Sequence, residues 1–309
     1  MAVSEGWCAA RSGQSRPVGP REARVDIVSA LAGIPVLTLI ALAAVVIIGL
    51  PHGALDGAIA IQLGMSQNLL SLIRFLVLYI AAAAVVVGAW MVAPVICLLA
   101  FLVISMLHFG MGDVRAGNGW QGMLEALAHG GLVVAGISHM HREEVDVIFG
   151  YLVDGNTLLV WQGLEIIAIF VAVALLFCMV QGVINRRWRG GLAELVTLGA
   201  IFAFTPPLVG FAIYFCLVHT PRHVRAILAS VSSGVSRRLI LSQVVLFSVA
   251  SWVAGGLAFW LLLGAETAEA ALMRVVFIGL AALTVPHMIL VDGLFRGVQP
   301  SLRRQFMSR

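Results

Sequence analysis

The stretch LVWQGLEIIAIFVAVALLFCMVQ at residues 159–181, with Glu165 as its only charge, decides the fold. A helix rises about 1.5 Å per residue, and a bilayer core of about 30 Å needs about 20 apolar residues in that form. The run is continuous rather than alternating, which excludes a barrel strand, and only helices or closed barrels satisfy the backbone in lipid. Stretches of the same kind recur near 28–50, 70–90, 94–110, 120–138, 240–263 and 272–291. Another, at 192–220, is interrupted by Thr205-Pro206-Pro207, and two prolines cannot sit inside a helix without breaking it. It reads as two short spans meeting at a turn. The expectation is an all-α polytopic membrane protein with about nine transmembrane helices, eight and ten being the alternatives.

Composition agrees. Of 309 residues, 61% are hydrophobic and 11% charged, with a mean hydropathy of +1.03; a soluble chain carries about 25% charged residues. An ordinary soluble enzyme, a disordered chain and a nucleic-acid binder are thereby excluded. All 19 basic residues are arginines, giving a net charge of +4. Without lysine no Schiff base can form, so the chain is not a retinal-holding photoreceptor. Cys8, Cys97, Cys178 and Cys216 lack paired spacing and read as small core residues.

Residues 1–26 read as a polar N-terminal tail, 27–293 as a single helical membrane domain and 294–309 as a basic cytoplasmic tail. Arginines at 186–189 and 222–238 and in the C-terminal tail mark the inner face of a cell's inner (plasma) membrane. Glu143, Glu144, Asp146, Asp154, Glu266 and Glu269 mark the outer face. Nine crossings put the arginines of the N-terminal tail outside, against the same rule; the histidines favour the odd count nonetheless.

Five histidines close spans: His52 in Pro51-His-Gly-Ala-Leu-Asp56, His108 in His-Phe-Gly, His219 and His223 in His-Thr-Pro-Arg-His, and His287 in the last span. In nine crossings the spans that bear them run the same way, so their ends meet at one depth. Ionisable groups in a membrane mark function, and clustered neutral imidazoles suit a metal. His219 and His223, at i and i+4, share a helix face. Metal-bound histidines give their second N–H to a carboxylate, a role open to Asp56 and Asp292; His287 is either a ligand, a support or a substrate contact. Glu125 and His129, one turn apart, form either an intrahelical pair or a support for the site. His139 and His141 read as solvated loop residues, and Asp113 and Arg115 as markers of a short loop.

The Pro-His-Gly-Ala-Leu-Asp, His-Phe-Gly and His-Thr-Pro-Arg-His motifs resemble the Brp/Blh family of β-carotene 15,15′-dioxygenases over roughly residues 28–292. The resemblance implies a membrane enzyme that splits the central double bond of β-carotene with O2 into two all-trans-retinal molecules. It further implies a non-haem Fe(2+) held by His52, His108, His219 and His223, and a functional link to a retinal-binding opsin. Aromatic wall residues expected near the histidines are Phe101, Phe109, Trp120, Phe211, Trp252 and, above all, Tyr214 and Phe215. Two other classes compete. A di-iron lipid hydroxylase or desaturase needs about eight histidines, with adjacent His-His pairs that this chain lacks. A metal-ion transporter would use a broken helix, as at 205–207, and midplane carboxylates such as Glu125 or Glu165.

Overall fold

Backbone amides in lipid have no water to turn to, and among the described residues the chain answers with helices alone and no strand. The structure is a computed structural model that describes residues 31–65, 68–115, 119–231 and 236–291. Both tails, Cys8 and Asp292 lie outside the described residues.

Seven described helices are long and apolar enough to cross a membrane: α1 (Val36–Gln62), α2 (Leu69–Val92), α3 (Pro94–Asp113), α4 (Trp120–Met140), α6 (Leu158–Ile184), α9 (Arg237–Leu262) and α10 (Ala268–Val291). Other helices among the described residues include α5 (Arg142–Leu152), α7 (Arg189–Phe204), preceded by a 3-10 turn at Arg186–Trp188, and α8 (207–230). The chain is thus an all-α polytopic membrane protein, and the break foreseen in the 192–220 stretch falls at Thr205–Pro206, with Pro207 starting α8.

Local chemistry sets the boundaries. Asn68 caps α2 by accepting from the Ser71 amide (2.9 Å), while its own amide donates to Ser71 Oγ (3.1 Å). Ser236 and Thr267 cap α9 and α10 in the same way through one hydroxyl each. α4 is the axle: 61% of its apolar window is buried, against 6% for α2 and α9. It crosses α3 at glycines because nothing larger fits. A Cβ on Gly130 would stand 1.8 Å from the Met106 carbonyl oxygen, and one on Gly110 would stand 2.1 Å from that of Ala126. Cys178 and Cys216 are buried and Cys97 partly so, all three as free thiols.

Two expectations need correcting. The first span does not end at residue 50. Helix α1 continues through the Pro51-His52 motif to Gln62, because the turn before Pro51 widens to a π-helix at Val45–Gly49 and then tightens to a 3-10 helix at Leu50–Leu55. The Leu50 amide reaches back to the Val45 carbonyl, and this re-registration accommodates the proline. The acidic segment after α4, expected as a loop, is likewise helical. Glu143, Glu144 and Asp146 lie on α5, where Asp146 accepts from Thr157 Oγ1 and the Trp161 indole (both 2.6 Å).

Candidate metal centre

The histidines stand inside helices rather than at their ends, and four helices bring them together. α1 supplies His52, α3 His108, α8 His219 and His223, and α10 His287. His108 lies 5.0 Å from His219, 5.3 Å from His223 and 5.3 Å from His287 between ring centroids. His52 lies 5.5, 5.4 and 5.5 Å from His219, His223 and His287. Nitrogens of His52, His108 and His219 fall within 4.8 Å of one another, as do those of His108, His223 and His287. His108 therefore joins two overlapping triads that could each hold a metal ion.

The backbone sets this focus. Tyr214–His219 is a second π-helical stretch, which turns His219 towards His52 and His108. Phe215 stacks on the His219 ring (5.8 Å, 9°), and its side chain meets Gly49 so closely that a Cβ there would be 2.2 Å from Cε1. The glycine crossing of α3 and α4 fixes the height of His108.

Hydrogen bonds set which nitrogens face inward. His52 Nδ1 donates to the Gly49 carbonyl (2.5 Å), and His287 Nδ1 donates to Asp56 Oδ1 (2.7 Å). Both rings thus leave Nε2 for the centre. The Nε2 atoms of His219 and His223 are buried with no hydrogen-bond partner among the described residues. Buried polar atoms are rarely left so, and a ring of imidazole nitrogens at such spacing fits a first-row transition metal. Asp56, only 2% exposed, also accepts from Tyr79 Oη (2.9 Å). Asp56 was foreseen as a support, but Tyr79 was not. A lone tyrosine in the apolar α2 span was the available signal, in a chain with three tyrosines.

An apolar cavity of about 1090 Å³ opens beside the rings. His52, His108, His287, Asp56 and Tyr79 line one end, and Phe101, Phe109, Phe211, Phe215 and Trp252 contribute to its walls. Trp120 and Tyr214, both expected as wall residues, do not line it. Tyr214 is fully buried and donates to Asp113 Oδ2 (2.8 Å).

That contact also corrects the reading of Asp113 and Arg115 as loop markers. Asp113 is 4% exposed and accepts from Arg222 Nη1 (2.7 Å). Arg222, between the two histidines of α8, continues to Glu194 on α7 (2.5 and 2.9 Å), which Arg115 also engages. Burying these charges is tolerable because they are paired. The network ties the end of α3 to the helix that carries His219 and His223.

His129 and Glu125 do not join the ring cluster. His129 Nδ1 donates to the Glu125 carbonyl (3.1 Å), and Glu125 Oε2 accepts from the Arg115 amide (2.9 Å). His139 is exposed, as expected, though on α4 rather than in a loop, with Nδ1 donating to the Ala135 carbonyl (2.8 Å); His141 is half-buried in the turn before α5 and donates through Nε2 to the Phe202 carbonyl (2.7 Å). Glu165 pairs with Arg142 at the surface (3.2 Å).

Comparison with known proteins bears out the resemblance. The family model described as Beta-carotene 15,15'-dioxygenase matches residues 43–295. A protein of that name from an uncultured marine bacterium is 34% identical over 265 residues, covering 85% of this chain and 96% of its own. A Halobacterium salinarum protein named "Probable beta-carotene 15,15'-dioxygenase Blh" is 28% identical over 303 residues, covering 82% and 83%. No solved structure matches. With the family model spanning most of the chain, and a relative of that name matched over nearly its whole length, this chain belongs to the beta-carotene 15,15'-dioxygenase family.

Proposed function

We propose that this membrane protein is a non-haem iron dioxygenase that splits the central double bond of β-carotene with O2 into two all-trans-retinal molecules. One observation carries the reading: five imidazoles on four helices converge at the end of a large apolar cavity, in a chain of this family. His52, His108, His219 and His223 would hold Fe(2+). When bound, such an ion supplies the redox chemistry that O2 requires and that side chains lack.

The residues of this chain do the rest. Four neutral imidazoles add no charge, so the full positive charge of the cation remains. Asp56, fixed by Tyr79, orients His287 with its Nε2 towards the centre, as carboxylates commonly orient metal-side histidines. A hydrocarbon polyene offers nothing to an acid or base, so positioning falls to shape. Phe215, Phe109 and Phe211 form a dry wall beside the rings, which orients the polyene and keeps water away. The product would leave into lipid of the inner membrane, where an opsin could take it up.

The test is expression in carotene-producing cells. Retinal should accumulate with wild type, and purified protein should carry stoichiometric iron. His52→Ala, His108→Ala, His219→Ala and His223→Ala should each nearly abolish both. Folded, iron-loaded protein that makes no retinal would refute the proposal.

A further inference from the structure

Asp113 ends α3 five residues after His108, and its side chain is 1% exposed. Both of its oxygens accept from α8: Oδ2 from Tyr214 Oη (2.8 Å) and Oδ1 from Arg222 Nη1 (2.7 Å). These two donors bracket the widened turn at Tyr214–His219. In an α-helix a residue seven places on returns to the same side after about two turns. Arg222 is eight places beyond Tyr214, so regular winding would set it about 80° aside. The π-turn takes up the odd place and lets both side chains reach one carboxylate. Between them the His219 ring lies on α3: Phe109 meets it edge-on at 4.8 Å, and a Cβ on Gly112 would be 3.8 Å from its Nδ1.

π-Turns are rare, so something outside the helix has to favour this one. A buried carboxylate that needs both donors does so, because regular winding would pull one of them off it where no water can replace it. We propose that Asp113 is a positioning residue that locks the π-turn of α8 and thereby aims His219 at His52 and His108. The inference rests on the metal reading above for what the aimed ring holds; the lock itself concerns only how this chain winds.

Full-length protein, stripped of metal and titrated with cobalt(II), tests the aim, since the visible bands of cobalt report the number and arrangement of its ligands. Amide hydrogen exchange across residues 214–223 of the metal-free protein tests the lock. Asp113→Leu removes both acceptors, and Tyr214→Phe removes one donor at nearly constant shape. Each should alter the bands, and each should quicken exchange and weaken cobalt binding about tenfold, a loss typical of residues that orient metal-bound histidines. Asp113→Asn should stay within about threefold of wild type in both, because its amide oxygen accepts from Arg222 and its NH2 donates to Tyr214. Arg115→Met breaks only the outer pair with Glu194 and should lower thermal stability while leaving the bands as they are. Tyr214→Phe carries the test if Asp113→Leu does not fold. Wild-type exchange in Tyr214→Phe and Asp113→Leu would overturn the lock, as would an Asp113→Asn as impaired as Asp113→Leu. Quickened exchange with unmoved cobalt bands, or bands that shift as much in Arg115→Met, would overturn the positioning role. A wild type that binds no cobalt refutes the metal reading, and the positioning role with it, whatever exchange shows.

Discussion

Replacing Asp56 by Asn isolates what the carboxylate does for the histidine cluster. Asp56 is 2% exposed and accepts from His287 Nδ1 (2.7 Å) and Tyr79 Oη (2.9 Å). An asparagine of the same shape can still accept from His287 through Oδ1 and donate to Tyr79 through its amide, since a phenol oxygen accepts as well. Geometry is retained, and the charge that raises the basicity of His287 is lost. Supports of this kind are worth about 10–100-fold in metal affinity or activity, or about 1.4–2.8 kcal/mol at 1.4 kcal/mol per tenfold. Asp56→Ala is harsher, because the buried His287 Nδ1 donor loses the carboxylate that accepts from it, at about 1–3 kcal/mol, and half-buried Tyr79 keeps only its longer contact to the Leu283 carbonyl (3.4 Å). Purified variants titrated with a chelator, with bound iron read by elemental analysis, give the affinity; thermal unfolding gives the stability. The reasoning predicts that Asp56→Asn loses iron at about 10–100-fold lower chelator while unfolding near the wild-type temperature. Wild-type affinity in Asp56→Asn, or an identical phenotype in Asn and Ala, would refute it.

Three further outcomes follow from the geometry. Gly130→Ala places a methyl 1.8 Å from a backbone oxygen of α3, so the two helices must part; thermal scans should show a loss of at least about 1–3 kcal/mol, with lower iron content because His108 moves. Phe215→Ala removes the ring stacked on His219 and one wall of the cavity, and should raise KM for β-carotene and lower kcat together in detergent assays. Hydrogen bonds from Thr157 and then Trp161 hold the Asp146 carboxyl below its usual range. A lowered folded-state value stabilises the fold above the unfolded pKa, and this contribution is lost as pH falls through the folded one; Asp146→Asn should therefore flatten the acid side of a stability–pH curve.

The fold was legible because lipid leaves so few options: apolar runs of spanning length named the helices almost to the residue, as at 159–181 against Leu158–Ile184. The end of α1 was misread because a proline ordinarily stops a helix, and the widened turn that absorbs Pro51 has no sequence signature of its own. The histidines were legible as a group because imidazoles are rare at such depth. Their supports were not. Tyr79, Asp113, Arg222 and Glu194 lie on four different helices, and each has an ordinary reading when taken alone. Only packing pairs Tyr79 with Asp56, or Arg222 with Asp113 and Glu194. Tyr214 shows the converse: its spacing from His219 put it near the site, but helical phase turned its hydroxyl towards Asp113 rather than the cavity.

The widened turns at Val45–Gly49 and Tyr214–His219 have an arithmetic consequence. A π-turn amounts to one extra residue threaded into an α-helix, and each residue advances the helix by about 100°. Deleting one residue from either turn would swing everything beyond it by more than a quarter circle, carrying His52 or the His219–His223 pair away from the common focus while leaving every histidine in the chain. The meeting of the five rings is written partly as a residue count, and insertions or deletions here are more dangerous than substitutions.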